Sequence, residues 1–244
     1  MTLEALKMKI TGIVKQSLVD YPGKIAAAVF TQGCNMNCVF CHNRCLVGQR
    51  ESNPTQDEDA FFSFLKKRKK FLDGVVVSGG EPTLQTDLAE FMARVKDMGY
   101  LVKLDTNGTR PGVIEKLLDK ELVDYIAMDV KAPMKKYREI CRSRVDQQAI
   151  LESISIIRGS DVDYEFRTTF CPQLTDTDIM EIGELVAGAR KYVLQQYRQT
   201  DAEYGGYTGK AAAVQLQDET TYQIRSYVSV FQVRGEIEIH AVAV

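Results

Sequence analysis

Six short apolar runs, many of them β-branched, alternate with helical stretches through most of the chain, and few folds accept that order. The runs are Ile25–Phe30, Gly74–Val77, Leu101–Leu104, Tyr125–Met128, Tyr164–Thr168 and Tyr192–Leu194. Their brevity and composition fit buried strands. Between and after them, Asp57–Leu72, Thr86–Met98, Pro111–Leu118, Gln147–Arg158, Asp176–Ala187 and Glu219–Phe231 read as helices, and Glu236–Ala241 as a final strand. Phe61, Phe64, Leu65 and Phe71 fall at helical spacing in the first of these. Leu88, Phe91, Met92 and Val95 do so in the second, with Gly99 placed to cap its end. Repeated βα units predict a parallel sheet with right-handed crossovers. Six are too few for a closed eightfold barrel, so the expected fold class is α/β, a partial TIM-like (β/α)6 barrel. One domain is expected over 1–244, with a core at about 20–200 and an appended helix and strand at about 218–241.

In such folds function belongs at the carboxyl ends of the strands. The polar signatures of this chain sit there: TQGC after the first of the six strands, SGGEP after the second, DTNG after the third and MDVK at the end of the fourth. The bulk properties leave the chemistry open but exclude some partners. A net charge of −2 exerts no general pull on nucleic acid or an anionic membrane. The opening MTLEALKMKITGIV lacks the apolar centre of a signal peptide, and no stretch of about 18 apolar residues occurs. A cytoplasmic protein with no nucleic-acid or membrane partner is expected. The basic run Lys66–Lys70 spreads around a helix and reads as a solvated face.

Three of the six cysteines crowd into eight residues as Cys34-x3-Cys38-x2-Cys41, which in a reducing compartment points to metal binding. Three thiolates so close can grip three corners of one iron–sulfur cube and leave the fourth iron open. Gly33 permits a tight loop, and Asn35, Asn37 and the backbone amides could hydrogen-bond cluster sulfurs. A structural zinc site could draw a fourth ligand from His42 or Cys45. A closed ferredoxin-type cluster could use Cys45, although the ferredoxin run begins with two-residue gaps and ends in a proline where Leu46 stands here. His42 reads as lining the loop, and Cys141 and Cys171 as isolated packing residues.

Gly79-Gly80-Glu81-Pro82 follows the second strand; its glycines allow close approach of backbone to a ligand, and Glu81 can accept from an ammonium group. Asp105 and Asp129 each stand at a strand's carboxyl edge, and adjacent strands would bring them together. Two converging carboxylates invite a cation or a basic partner. An Asx-turn or helix cap for Asp105, and an ion pair with Lys131 for Asp129, are the alternatives.

The cysteine loop, with an aromatic residue before its last cysteine, resembles the signature of the radical S-adenosylmethionine (SAM) superfamily. That resemblance implies a [4Fe–4S] cluster on Cys34, Cys38 and Cys41, and reductive cleavage of SAM to methionine and a 5′-deoxyadenosyl radical. It implies that Gly79, Gly80 and Glu81 hold the SAM amino group. DTNG and MDVK resemble the paired signatures of glycyl-radical-enzyme activating enzymes. By that likeness Asp105, Asp129 and the backbone at Thr106 would hold a monovalent cation beside the SAM carboxylate, with Lys131 assisting. Arg167 would contact SAM, and Arg198 stands where the family often has a ribose-binding histidine, with Gln196 as the alternative. The segments GIVKQSLVDYPGKIAAAVFTQGCN, VVVSGGEPTLQ, LVKLDTNG, YIAMDVKAP, YEFRTTF and YVLQQYR together resemble the long-form activating proteins of anaerobic ribonucleoside-triphosphate reductase. The implied partners are that glycyl radical enzyme and a flavodoxin or ferredoxin-type electron donor. A radical SAM enzyme acting on a small molecule, such as a 7-carboxy-7-deazaguanine synthase, is the second reading, and a non-catalytic electron carrier the third.

Overall fold

The computed structural model describes residues 8–48, 55–199, 214–235 and 237–240. Its strands are β1 (Ile10–Ser17), β2 (Ala26–Thr31), β3 (Gly74–Gly79), β4 (Leu101–Thr106), β5 (Tyr125–Asp129), β6 (Asp163–Phe170), β7 (Lys191–Gln196), β8 (Val214–Gln217), β9 (Val230–Arg234) and β10 (Ile237–His240). The helices are α1 (Glu58–Arg68), α2 (Leu88–Asp97), α3 (Pro111–Asp119), α4 (Tyr137–Cys141), α5 (Gln147–Gly159), α6 (Asp176–Leu185) and α7 (Asp218–Tyr227). Eight strands form one sheet in the order β1-β2-β3-β4-β5-β6-β7-β9. Only β1 is antiparallel in it, and every pair from β2 to β9 is parallel. β1 and β9 are the two free ends of the sheet, so the barrel is partial.

The two faces of the sheet have opposite chemistry. Outward residues such as Ala27, Val29, Val75, Val77, Val102, Leu104, Ile126, Met128, Phe166 and Leu194 join the helices in one large apolar core. Among the inward positions only Ala26, Ala28, Val76, Tyr125 and Ala127, capped by Tyr21, form a small second core. The other inward positions of β4 to β7 include Lys103, Asp105, Asp129, Glu165, Arg167, Lys191 and Gln195. Local chemistry fixes the helix starts: the Asp57 carboxylate accepts from the Asp59 amide ahead of α1, and Thr175 with Asp178 makes a capping box on α6. Lys66, Lys67, Lys69 and Lys70 are exposed, as a solvated face requires.

The sheet has two more strands than the six read from the sequence. β1 forms a hairpin with β2; it is an edge strand with only two of its eight residues buried, so it lacks an apolar run. β9 occupies residues partly assigned to the last helix. That helix ends at Tyr227, where Val228 turns extended, and β-branched Val228 and Val230 lead into the edge strand beside β7. The final strand lies at Ile237–His240, within the expected segment, and pairs in parallel with β8 outside the main sheet; Glu236 and Ala241 lie outside the described residues.

Candidate active site

The four loops expected at the carboxyl edge converge on one cavity of about 230 Å³. Cys34, Cys38 and Cys41 line it, as do Gly79, Gly80, Glu81, Asp105, Thr106, Asp129, Lys131 and Arg167. His42, Asn107, Thr169 and Gln195 complete much of its wall. A second cavity, of about 530 Å³, adjoins it and shares His42, Asp105, Arg167, Thr169 and Gln195. This one spans from Val19 and Pro22 in the β1–β2 turn to Arg234 and Gly235 at β9, the two ends of the open sheet.

The cysteine loop is clamped from three directions. Gly33, at φ +93°, donates its amide to the Leu46 carbonyl at 2.8 Å, and its carbonyl accepts from the Glu81 amide at 2.8 Å. The Asn37 and Val39 amides donate to the carbonyls of Cys141 and Ile140, both at 2.9 Å, so α4 seats the middle of the loop. Cys141 is buried in the core, as expected of a packing residue, and its thiol lies beside Cys38. The proximity of the two sulfurs lowers Cys38 and raises Cys141. Burial pushes the Cys34 thiol up to about 12 and also raises Cys41. Cys171 is buried, and burial lifts its thiol to about 11. All six cysteines are free thiols.

Asn35 and Asn37 have protein partners in this structure. Asn35 donates to Thr109 Oγ1 at 2.8 Å, and Asn37 accepts from Arg44 at 2.8 Å. The side chain that approaches Cys34 Sγ, at 4.0 Å, belongs to Asn107 of the DTNG segment, and the Met36 amide donates to the same sulfur at 3.4 Å.

Two glycines let the second loop meet the first. Gly79 has φ +122°, and a Cβ on Gly80 would fall 2.0 Å from the Gly33 carbonyl oxygen. The Asn43 side-chain amide donates to the Gly79 carbonyl at 3.0 Å, tying the loops again. Glu81 is 1% exposed and hydrogen-bonded within the protein. Its Oε1 accepts from the Thr83 amide (3.1 Å), Thr83 Oγ1 (2.5 Å) and Thr106 Oγ1 (2.7 Å), and its Oε2 from the Asn107 amide (2.7 Å). Burial raises its carboxyl above the ordinary range, with these four donors pulling back. The Glu81 side chain thus braces the β3 and β4 loops while lining the cavity.

Beyond the turn lies a compact charged group. Asp129 accepts from Arg167 Nε at 2.9 Å and from Lys131 Nζ at 3.0 Å. Burial alone would raise the Asp129 carboxyl, but Arg167 and Lys131 outweigh it and hold it well below the carboxylate range. The same contacts raise Lys131 and Arg167. Asp105 contacts Lys103, accepts from Ser78 Oγ at 3.1 Å and faces Arg167 Nη1 at 3.6 Å. The ion pair of Asp129 with Lys131, one of the two sequence readings, is present. The Asp105 and Asp129 oxygens face ammonium, guanidinium and hydroxyl groups. Lys131 also lies over the Phe40 ring, at 5.5 Å from its centre. Arg198 and Gln196 line the adjoining cavity, whereas Gln195 reaches the first. Lys103, Ser78, Asn107 and Cys141 were missed; inward alternation along β3 and β4 could have found the first two.

Soft thiols suit an iron–sulfur cluster, and coordination would deprotonate Cys34 and Cys41 against their raised values. Among the described residues no three His, Cys, Asp or Glu side chains converge on a single metal ion. A cubane is ligated at separate iron atoms, so its thiolates need only share a cavity, as these three do. The glycine turn against the loop provides the cradle that a side chain would fill.

The radical SAM superfamily profile matches residues 28–186. A protein of Methanocaldococcus jannaschii, provisionally named a glycyl-radical enzyme activating enzyme, is 40% identical over 203 residues, covering 81% of this chain and 83% of its own. The pyruvate formate-lyase-activating enzyme of Listeria monocytogenes is 33% identical over 195 residues, covering 73% of this chain and 75% of its own. Among solved structures, Streptococcus suis SuiB bound to precursor peptide SuiA superposes with a TM-score of 0.63 at 14% identity, covering 84% of this chain and 47% of SuiB. This chain spans about half the length of SuiB, and the likeness shows the fold. With its matched profile and these relatives, the chain belongs to the radical SAM superfamily, in the family of glycyl-radical-enzyme activating enzymes.

Proposed function

We propose that this chain installs a glycyl radical in an anaerobic ribonucleoside-triphosphate reductase, with Cys34, Cys38 and Cys41 holding a [4Fe–4S] cluster and the adjoining cavity wall holding SAM. The observation that carries this reading is the convergence of three thiols, the Gly79–Gly80 turn and the Asp105–Asp129–Lys131–Arg167 group on one cavity. When bound and reduced by a flavodoxin or ferredoxin-type donor, the cluster supplies the electron that cleaves SAM to methionine and a 5′-deoxyadenosyl radical, which removes a Cα hydrogen from the partner's glycine.

The chain's own residues bind and orient. The backbone of Gly79 and Gly80 receives the SAM ammonium, while Glu81 fixes that backbone from behind. Lys131 and Arg167 receive the carboxylate, since both project into the cavity as permanent cations. Gln195 is better placed than Arg198 or Gln196 to meet the ribose, because it lines the same cavity as the thiols. The open side of the barrel favours a polypeptide substrate: the larger cavity joins the site there, and Leu18 and Val19 stand 70% and 84% exposed on the β1–β2 turn beside it. Glycine suits such a target because a loop without a side chain can approach closely.

The test mixes the reconstituted protein, SAM and a reductant with the reductase of the same source, its glycines deuterated. A glycyl radical doublet, one 5′-deoxyadenosine per radical and deuterium in that nucleoside are expected. Deuterium that never transfers from any glycyl radical enzyme of the organism, with turnover stimulated instead by a small molecule, would refute the reading.

A further inference from the structure

Lys103 is a buried ionisable side chain that the proposed chemistry leaves unused. It stands on the inward face of β4, two residues before Asp105, with 1% of its surface exposed, and its ammonium contacts Asp105 Oδ1. Lysine is almost never this buried without a dedicated partner, because stripping an ammonium of water is costly. Arg167 bridges the two carboxylates, at 3.6 Å from Asp105 Oδ2 and 2.9 Å from Asp129 Oδ1. Ser78 Oγ takes Asp105 Oδ2 at 3.1 Å, and Lys131 takes Asp129 Oδ2 at 3.0 Å. All four oxygens of the pair therefore face hydrogen-bond donors. An alkali cation set against these oxygens would meet three cationic side chains, Lys103, Lys131 and Arg167, that already neutralise them, so the charge set does not fit one. Two carboxylates against Lys103, Lys131 and Arg167 leave one positive charge, which matches the single carboxylate of SAM.

We propose that Lys103 is a built-in counter-ion for Asp105, so that the carboxylate of SAM is received by side-chain cations alone and the site has no need of a monovalent metal ion. The proposal rests on reading this cavity as the SAM site. Lys103 does not touch the ligand in this scheme; it is a positioning residue that keeps Asp105 neutralised and Arg167 free to bridge.

The experiment measures SAM affinity of the reconstituted holoenzyme by equilibrium dialysis in tetramethylammonium chloride and in potassium chloride at equal ionic strength. The wild-type protein should bind within about two-fold in the two salts, since general screening is matched. Lys103→Met should bind about ten-fold more weakly in tetramethylammonium, as loss of a charged contact predicts, and recover with potassium. Potassium should also raise the melting temperature of SAM-free Lys103→Met and not that of the wild type. A wild-type affinity that rises about ten-fold or more with potassium would overturn the proposal, as would a Lys103→Met protein indifferent to the salt. Should Lys103→Met fail to fold, the wild-type comparison decides alone. Absence of SAM binding in both salts would instead refute the cavity assignment and the proposal with it, an outcome distinct from binding that needs potassium.

Discussion

Gly80→Ala should force apart the two loops that form the site. The new Cβ would lie 2.0 Å from the Gly33 carbonyl oxygen, 2.6 Å from its carbonyl carbon and 3.3 Å from Cys34 Cβ. The first gap is about 1.4 Å short of ordinary contact, and the obstacle is backbone, which cannot rotate away. The loops must separate, and the Glu81 amide then loses the Gly33 carbonyl it reaches at 2.8 Å. Overpacking costs about 1–3 kcal/mol and the hydrogen bond about 1 kcal/mol, a loss of roughly 2–4 kcal/mol. For a chain of this length that lowers the melting temperature by roughly 5–15 °C. Because the shift falls on the residue before Cys34, iron retention and SAM affinity should fall too. Gly112→Ala is the control: it lies in the first turn of α3, a Cβ there meets nothing within 4 Å, and the change should be neutral or stabilising by up to about 1 kcal/mol. Anaerobic thermal unfolding followed by circular dichroism, with iron assays after reconstitution, separates the two. If both variants melt together and bind SAM alike, the close approach of these loops is not what holds the site.

Alanine at Cys34, Cys38 or Cys41 should each abolish the redox signal of reconstituted protein, while Cys45→Ala retains it; loss of the cluster in Cys45→Ala would restore a closed ferredoxin-type site. Cys141→Ala removes the buried thiol beside Cys38 and should move the cluster to a more negative potential in an anaerobic redox titration, because polar S–H neighbours of a ligand sulfur favour the reduced state; an unmoved potential would refute that role. Burial would raise the Glu165 carboxyl, but two hydrogen bonds from Arg234 and the nearby Arg167 charge bring it from 4.5 to about 2. A folded-state value below the unfolded one gives stability that is full above about pH 4.5 and fades as pH falls toward about 2, a contribution of roughly 3 kcal/mol. Arg234→Met should therefore lose stability less steeply than wild type over that interval in urea titrations, and parallel slopes would exclude the mechanism.

Much of this architecture was legible because outward residues of the parallel strands pack under helices and write short apolar runs. The loops followed from chain order alone, since each signature comes directly after such a run. β1 escaped because most of it is only partly covered at the sheet's edge, and β9 because Ile224, Tyr227 and Phe231 continue a spacing that suits a helix. The placement of Asp105 beside Asp129 was readable from adjacent strands, and β4 and β5 do pair in register from Lys103↔Tyr125 to Thr106↔Met128. Lys131 against Asp129 was readable too, but the other partners were not, because Arg167 arrives from β6 and Lys103 from below, contacts that only the closed sheet creates. Glu81 lines the cavity, as its place in the turn suggested, but the bonds it accepts from Thr83, Thr106 and the Asn107 amide were not readable, because two of those donors come from the end of β4 and the residue after it.

The inward charges explain why these strands break the usual rule for parallel sheets. A strand buried on both faces normally reads as continuous Val, Ile and Leu. β2 and β3 obey it with small inward residues, Ala26, Ala28 and Val76, where Tyr21 and Tyr125 fill the barrel at a ring separation of 5.7 Å. β4 and β6 do not: Val102-Lys103-Leu104-Asp105 and Tyr164-Glu165-Phe166-Arg167 alternate apolar with charged residues as if one face met water. That face meets other charges instead. Glu165 is buried completely and engages Tyr125, Arg234 and Lys191, while Lys103 and Arg167 engage Asp105 and Asp129. Breaking any one such pair strands a buried charge, so the network holds each cation in a fixed direction. An apolar filling of the same barrel could be as stable, but it could not present preset positive charge to an anionic ligand at the strand ends. Period-two alternation inside an otherwise parallel α/β pattern is thus the sequence mark of a barrel whose interior has been given over to a site.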